Sequence, residues 1–204
     1  RPTRVDQMIL PPLAHDVKVM SIGMFVGEGD AVSWRGPMLH RTVNQFLTDV
    51  YFGDLDLLLL DMPPGTGDVA ISVGQLLPHA DVLVVTTPQQ AAAEVAVRSA
   101  TVARQTGQRV IGVVEMMSPG LLPDGTPLDL FGQGGGQSVA TTLEVPLLGQ
   151  IPLSATLRRS GDVGEPVVIA HSEDPAARAL AALGEAVRAT RTSRVGSNLP
   201  LAPA

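Results

Sequence analysis

The sequence predicts an α/β fold with a doubly wound, mostly parallel sheet and helices on both faces. Two observations predict it. Apolar runs of strand length occur at residues 57–60 and 82–86, and each ends beside Pro, Gly or polar residues, as strands buried on both faces do. From residue 55 to residue 115, such runs alternate with helical segments through short connections. That order is typical of right-handed β-α-β units in a parallel sheet.

Composition sets the limits of what the chain can be. Of 204 residues, 45% are apolar and 17% charged, so a sizeable core is expected and global disorder is not. The net charge of −6 argues against a general nucleic-acid binder, which neutralises phosphates with basic residues. There is no cysteine, which excludes disulfides and thiolate metal ligands. No apolar stretch approaches the roughly 18 residues that span a bilayer, and a cytoplasmic location is the default expectation.

The first third of the chain predicts two strands and two helices. A strand is expected at 17–24, and apolar residues at helical spacing predict a helix over 38–50. The run at 55–61 predicts a buried strand that ends at Asp61. After a Pro- and Gly-rich turn, Asp68 is placed to cap a helix over 69–77.

The remaining elements follow from similar patterns. Strands are expected at 82–86, 110–115 and 147–152, and helices at 91–106, 137–143, 154–159 and 175–190, with a long loop over 118–136. Asp174 is placed to cap the last helix. Residues 1–190 are expected to form one domain, and residues 191–204 lack periodicity and are expected to be disordered.

The end of the 55–61 strand carries the residues of a nucleotide site. Ligands bind at the carboxyl ends of strands in open α/β sheets, which is where Asp61 lies. A carboxylate there can hold the water shell of Mg²⁺, an ion that takes few protein ligands. Gly65 in the following turn lets backbone N–H groups approach a phosphate. The structural alternative is that Asp61 only ends a strand and Gly65 only makes a turn.

Several segments together resemble one family. They read LLLLDMPPGTGDVAISVGQ, VLVVTTPQQAA, VIGVVEMMS, FGQGGG and LLGQIPL, with WRGPM upstream. Their order and spacing are similar to the Mrp (ApbC) family of ATP-binding, deviant-Walker P-loop proteins, which is related to MinD and ParA. The resemblance implies a P-loop NTPase-like fold and the cofactors ATP and Mg²⁺. It also implies a homodimer, a role in iron–sulfur cluster assembly or delivery, and client apoproteins that receive the cluster.

The resemblance also assigns site residues. It implies that Asp61 holds Mg²⁺ through water and that Pro64, Gly65 and Thr66 contact the nucleotide, with Asp61 and Gly65 as the catalytic pair.

Three further residues correspond to the adenine pocket of the family. Met116 stands where relatives have an Asn that reads the base, and Pro152 and Leu153 match the opposite wall. A Met cannot replace the donor and acceptor of an amide, which costs on the order of 1–3 kcal/mol in a desolvated site. Selectivity for the base is therefore expected to be weakened.

The chain departs from the family at two places. The Gly-rich loop that ends in Lys and Ser/Thr is absent, because the only lysine is Lys18 and no glycine run precedes it. The sequence is therefore expected to be the C-terminal part of a longer protein, without the P-loop strand, so that residues 57–60 lie at an uncovered apolar edge and residues 1–204 alone aggregate. The Cys-x-x-Cys that many relatives carry in the loop at 119–130 is also absent, which argues against a 4Fe–4S cluster bound by that motif.

Two other functions remain open. One is a partition or positioning ATPase that works as a surface switch, and the other is a non-catalytic interaction protein on the same scaffold. The basic tail after residue 187 lacks large apolar residues, so no stable membrane association is expected. The glycines at 132–136 follow no strand and precede no lysine, which favours a flexible lead into a helix over a phosphate loop. The four histidines have no metal-binding spacing, and Arg35 is as well explained by a salt bridge at a helix start.

Overall fold

The computed structural model describes residues 2–6, 8–25, 36–63, 65–122 and 124–190. The strands are β1 (Thr3–Val5), β2 (Met8–Leu10), β3 (Leu13–Ala14), β4 (Val17–Lys18), β5 (Asp81–Thr86), β6 (Arg109–Ser118), β7 (Gly120–Leu121), β8 (Pro127–Leu128) and β9 (Leu147–Pro152). The helices are α1 (Gly36–Thr48), α2 (Asp68–Leu76), α3 (Gln90–Gln105), α4 (Gly135–Leu143), α5 (Ala155–Val163), α6 (Val167–Ala170) and α7 (Pro175–Ala189).

Contacts divide the chain into two compact units, one of residues 1–81 and 98–109 and one of residues 82–97 and 110 onward. The predicted single domain over 1–190 stays a prediction, and residues 191–204 lie outside the described part.

The second unit is built on a three-stranded sheet in the order β5-β6-β9. Strands β6 and β9 pair in parallel, with Val113 opposite Leu147 and Met116 opposite Ile151. Helices flank this sheet, so the predicted α/β class with a parallel sheet is confirmed. Strands that helices cover on both faces have nearly continuous apolar sequences. Strand β6 fits this pattern, because it is almost continuously buried from Val110 to Glu115.

Helices cover this sheet on two faces. On one face, Val114 of β6 and Ile151 of β9 form a core cluster with Ala176 of α7, and partly buried leucines of α7 complete it. Side chains alternate between the faces of a strand, so Val113 and Glu115 point away from this cluster. Glu115 instead accepts a hydrogen bond from the backbone N–H of Gly136 in α4.

Two helix starts in this unit are linked through their caps. Asp174 accepts a hydrogen bond from the N–H of Ala176 at 2.8 Å, as predicted for the cap of α7. Ser154 caps α5 by accepting from the N–H of Leu157 at 3.0 Å, and its hydroxyl donates to Asp174 at 2.9 Å. One side-chain hydrogen bond therefore joins the starts of α5 and α7.

The first unit contains two short antiparallel pairs, β1 with β2 and β3 with β4, together with helices α1 and α2, which pack on each other. Gly74 of α2 lies so close to Thr106 that an added Cβ would approach the Thr106 hydroxyl to 2.3 Å. Arg109 makes two 2.8 Å hydrogen bonds to Asp81, and this fork raises the pKa of the guanidinium further above its ordinary value.

The prediction for residues 55–61 is wrong. The structure assigns no strand there, and Leu57, Leu58, Leu59 and Leu60 are between 37% and 78% exposed. A strand forms only where a neighbour satisfies its backbone groups, and the three-stranded sheet does not include this segment. The apolar residues indicate that the segment tends to be buried, but they do not show whether a neighbouring strand is present to pair with it.

The predicted strand at 17–24 is also wrong over most of its length. Only Val17–Lys18 is strand, and Ile22–Phe25 forms a 3₁₀ turn. His15 and Asp16 both have positive φ, 51° and 61°, which is the geometry of a two-residue hairpin turn between β3 and β4. His-Asp is not the usual sequence for that turn, and the hairpin was therefore not predicted.

The other predicted elements are confirmed within a few residues, and the structure adds elements that were not predicted, among them the β1–β2 pair in a segment expected to be irregular. Helix α2 starts at Asp68 with Gly67 as its N-cap, so Asp68 lies in the first turn and is not the predicted cap. Helix α5 extends to Val163, beyond its predicted end. The loop at 118–136 contains the unpredicted hairpin β7–β8, and α6 was not predicted.

Close packing at α4 gives a stability prediction. A Cβ at Gly135 would lie 2.3 Å from the carbonyl oxygen of Pro88 and 2.7 Å from that of Thr87, and both are backbone atoms. Gly135→Ala should therefore lower the free energy of unfolding by about 1–3 kcal/mol in urea denaturation. Gly161→Ala in α5 is the control, because nothing lies within 4 Å of its Cβ position. That variant should be neutral or more stable by up to about 1 kcal/mol, and equal stability of the two variants would contradict the packing interpretation.

The exposed leucines give a second prediction. Residues 1–204 expressed alone should be insoluble or oligomeric by size-exclusion chromatography, because residues 57–60 present exposed apolar side chains. Leu59→Lys, at the most exposed of these leucines, should raise the monomeric fraction. Val163→Lys, at a position 72% exposed on α5, should raise it less. A monodisperse, cooperatively melting monomer of the unaltered chain would contradict the prediction.

Candidate nucleotide site

The first part of the candidate site is the turn from Asp61 into α2. Asp61 and Thr66 are exposed, and Gly65 has φ 91°, a conformation that favours glycine. A Cβ added at Gly65 would meet nothing within 4 Å, so one side of the turn is open. Pro64 lies outside the described residues.

Helix α2 begins directly after this turn. Its N-cap, Gly67, contributes no side-chain hydrogen bond, so the first backbone N–H groups of α2 are left for water or a ligand. The helix dipole and free N–H groups at such an end favour an anion. An exposed carboxylate, an open glycine turn and an uncapped helix start therefore follow one another over 61–68, which is an arrangement suited to a phosphate with its metal ion.

The second part lies at the ends of β6 and β9. Ser118 pairs with Pro152, and the N–H of Leu153 donates to the Ser118 carbonyl at 2.9 Å. Met116 lies opposite Ile151, one position before Pro152. Met116, Pro152 and Leu153 therefore lie at neighbouring strand ends, and their assignment to the two walls of an adenine pocket stays a prediction.

The side chain of Met116 packs partly into the core. It lies against the cluster of Val114, Ile151 and Ala176, whereas the next residue, Met117, is 46% exposed. Met117 has φ 58° and stands at a bulge between the Met116 and Ser118 positions. The exposed methionine at this strand end is therefore Met117, which is not among the residues predicted from the sequence.

The two parts belong to different units of the chain. Asp61, Gly65 and Thr66 lie in the first unit, and Met116, Pro152 and Leu153 lie in the second.

Glu115 is a functional candidate that sequence reasoning missed. Its side chain is fully buried, and its carboxylate accepts from the N–H of Gly136 at 2.6 Å and from the side-chain amide of Gln150 at 2.8 Å. The signal in the sequence was an acidic residue at the end of a buried apolar strand. Such a residue must find hydrogen-bond donors.

The glycines at 132–136 have two structural explanations: Gly132 and Gly134 have positive φ, and Gly135 and Gly136 are closely packed. Gly134 is the N-cap of α4 in a left-handed conformation, φ 85°. Gly135 and Gly136 are buried, and a Cβ at Gly136 would lie 2.6 Å from the Cβ of Glu115. The helix start approaches β6 so closely that only glycine fits, and the N–H of Gly136 is already occupied by a protein carboxylate. These glycines therefore do not form a phosphate loop.

The hairpin β7–β8 stands on the same strand ends. A Cβ at Gly120 would lie 2.5 Å from the carbonyl oxygen of Leu153, so the base of the hairpin touches the predicted pocket wall. At its tip, Asp124 accepts from the N–H of Thr126 at 2.9 Å. This hydrogen bond lowers the pKa of the Asp124 carboxyl. Leu121, in the hairpin, is 67% exposed.

Within the described ranges, no three His, Asp or Glu side chains are grouped closely enough to hold a metal ion. Lys18, the only lysine in the sequence, donates to the Phe52 carbonyl and therefore has a structural role. Arg35 lies outside the described residues.

A cavity of about 330 Å³ lies in the first unit and contains none of the predicted site residues. Its lining includes Arg4, Gln45 and Asp49 together with Phe25 and Phe46, whose rings are 5.9 Å apart.

Comparison with known proteins identifies the family. The model of the family described as ParA, NUBPL iron-transfer P-loop NTPase, matches residues 1–188. The chain belongs to this family.

Curated relatives of the NUBPL-type NTPase family are similar over most or all of the chain. The iron-sulfur cluster carrier protein of Mycobacterium leprae is 53% identical over 100% of the chain, and that of Deinococcus radiodurans is 41% identical over 96%. The carrier protein of Bacillus subtilis is 46% identical over 75% of the chain. The chain spans 55% of the length of the first two relatives and 44% of the third.

Solved structures of related NTPases have the same fold. A nucleotide-binding protein from Archaeoglobus fulgidus in complex with ADP has a TM-score of 0.67 at 31% identity, covering 80% of this chain and 64% of its own. The cell division ATPase MinD of Pyrococcus furiosus has a TM-score of 0.57 at 23% identity, covering 79% and 64%. The second likeness shows the fold alone. The predicted P-loop NTPase-like class and the Mrp-type resemblance are both confirmed.

The stability of the β7–β8 hairpin is expected to depend on pH. Because the folded pKa of Asp124 is lowered, its contribution to hairpin stability is fully present above the unfolded pKa. That contribution is lost as the pH falls through the folded pKa. The ¹³C carboxyl titration of Asp124 by NMR should place its pKa below the ordinary value, and the protection of the Thr126 amide from exchange, relative to an unstructured amide at the same pH, should fall below that pKa.

Asp124→Asn is the matched control for this titration. Its side-chain oxygen can still accept the Thr126 N–H, but it does not titrate. The acid-induced change in exchange should therefore disappear in this variant. A carboxyl that titrates at or above the ordinary Asp value would contradict the assignment.

Proposed function

We propose that this protein binds and hydrolyses ATP and acts in the assembly or delivery of iron–sulfur clusters. The observation that carries the proposal is the open turn over 61–68, where an exposed Asp, a left-handed Gly and an uncapped helix start follow one another. The relatives that are 41% to 53% identical and are named iron-sulfur cluster carrier proteins support the biological role.

In this proposal Asp61 holds Mg²⁺ through water. One exposed carboxylate fits that ion, which keeps several waters and binds one or two carboxylates plus substrate phosphates. Gly65 gives backbone access to the terminal phosphate, and Pro64 and Thr66 complete the contacting turn. When bound, Mg²⁺ neutralises charge that develops on the transferred phosphoryl group. Asp61 and Gly65 are thus the proposed catalytic pair.

The base of the nucleotide is proposed to lie at the ends of β6 and β9. Pro152 and Leu153 form one wall, and Met116 with its exposed neighbour Met117 forms the other. Neither methionine supplies an amide donor and acceptor, so discrimination between adenine and guanine is expected to be weak.

The iron–sulfur cluster is cargo in this proposal. The chain contains no cysteine, so its own residues cannot ligate a 4Fe–4S cluster through thiolates. The proposed partners are a second copy of the protein and the apoproteins that receive the cluster, and the proposed location is the cytoplasm. No helix in the described ranges could cross a membrane.

The partition or positioning ATPase is not favoured. Its support is the likeness to MinD structures at 20% to 23% identity, which reaches only the fold. The cluster carriers are more similar and align over nearly the whole chain.

Substitution of Asp61 tests the proposal. Asp61→Asn in the full-length protein encoded by the gene should weaken Mg²⁺-dependent ATP binding at least about tenfold and abolish hydrolysis, because the amide is a poor ligand for metal-bound water. Fluorescent ATP binding and phosphate release measure these effects. Asp54→Asn is the control, since it removes the same charge from an exposed position outside the turn.

The biological role needs a second measurement. In cells lacking the gene, the activity of a cluster-dependent enzyme should fall. The unaltered protein and Asp54→Asn should restore it, whereas Asp61→Asn should not. Full restoration by Asp61→Asn would contradict a role for ATP in cluster delivery, and unaltered protein that does not bind ATP would contradict the proposal as a whole.

A further inference from the structure

Glu115 is a buried carboxylate that the proposed chemistry does not use. It is 0% exposed, and none of the ion pairs within the described ranges includes it. Its two oxygens are satisfied separately, one by the N–H of Gly136 and one by the amide of Gln150. A buried carboxylate is costly unless such donors hold it, so its two partners must stay in place for the carboxylate to remain buried.

The two donors lie on the two elements that flank the end of β6. Gln150 belongs to β9 and lies two residues before Pro152. Gly136 belongs to the first turn of α4. Glu115 itself immediately precedes Met116. One side chain therefore ties the strand ends that carry both proposed base walls to the start of a helix.

The same contact closes a loop. From Glu115 the chain continues along β6 to Ser118, forms the β7–β8 hairpin and returns to Glu115 at Gly136, 21 residues after Glu115. Within the loop, Gly120 packs against the backbone of Leu153. The side chain of Asp129 accepts hydrogen bonds from Gly132 and Gln133 just before α4. The base wall and the hairpin thus share one anchored base.

We propose that Glu115 is a positioning residue for nucleotide binding, which sets the spacing of the Met116 and Pro152–Leu153 walls by holding Gln150 and the start of α4. The inference rests on the proposed function. Glu115 does not touch the nucleotide in this account. It acts on the base end of the nucleotide only, because its contacts lie wholly in the second unit, whereas Asp61 and Gly65 belong to the first.

The test separates the base from the phosphates. In the full-length protein, the dissociation constants of ATP and of inorganic tripolyphosphate are measured by competition with a fluorescent ATP analogue. Glu115→Ala leaves the Gly136 N–H and the Gln150 amide without their acceptor. The affinity for ATP should fall about tenfold or more, whereas the affinity for tripolyphosphate should change less than about twofold.

A matched control accounts for lost stability. Val139→Ala shortens a buried apolar side chain of α4 that makes no hydrogen bond to Glu115 or Gln150, and it should lower the melting temperature as well. Its affinity for both ligands should stay within about twofold of the unaltered protein. If Val139→Ala and Glu115→Ala weaken both ligands alike, Glu115 has only a structural role and the inference fails.

Exchange of the two side chains provides a rescue. Glu115→Gln can still accept from Gly136 while its amide donates to a reoriented Gln150, so ATP affinity should be largely kept. Gln150→Glu places two carboxylates together and should weaken ATP binding as Glu115→Ala does. The double variant Glu115→Gln with Gln150→Glu restores one acid and one amide and should recover the affinity. Failure of the double variant to recover would overturn the inference.

The outcomes distinguish this inference from the proposed function. If the unaltered full-length protein binds neither ATP nor tripolyphosphate, the proposed function fails. If it binds both and Glu115→Ala weakens both equally, the proposed function stands and the positioning role is wrong.

Discussion

The requirement that every strand have a hydrogen-bonded neighbour determines which part of this chain is ordered into a sheet. Strands β6 and β9 satisfy each other, and helices α4 and α7 cover them, so their apolar residues become a core. Residues 57–60 are equally apolar, but they have no neighbour in the described sheet and remain exposed. Strands β6 and β9 and residues 57–60 are similarly apolar, and they differ in whether a neighbouring strand pairs with them.

This contrast also explains how much of the fold could be predicted. Helices α3, α4 and α7 and strands β5, β6 and β9 follow from periodicity and from caps such as Asp174, because those signals are local. The failures at 17–24 and 55–61 depend on partners that a local pattern does not contain. The turn between β3 and β4 has positive φ at His15 and Asp16, and the sequence His-Asp does not by itself predict such a turn.

The candidate site was predictable to a similar degree. Asp61, Gly65, Pro152 and Leu153 could be selected because their residue types and order match a family pattern. Glu115 could not, since its importance comes from donors that are 21 and 35 residues away in the chain. The Gly-rich segment before α4 is predicted to be a flexible lead into a helix, and only the short distances to Pro88 and Glu115 show that close packing requires glycine at positions 135 and 136.

The loop that leaves and returns at Glu115 allows one region of the chain to vary freely. Because its two ends are fixed to each other, the length and sequence of the tip around Gly125 can change without moving the sheet, whereas Gly125 itself has φ 83°, a conformation that favours glycine. A pair of metal-binding residues could therefore be gained or lost there during evolution at little cost to the fold. The same property makes this tip a suitable position for inserting a probe or an affinity tag.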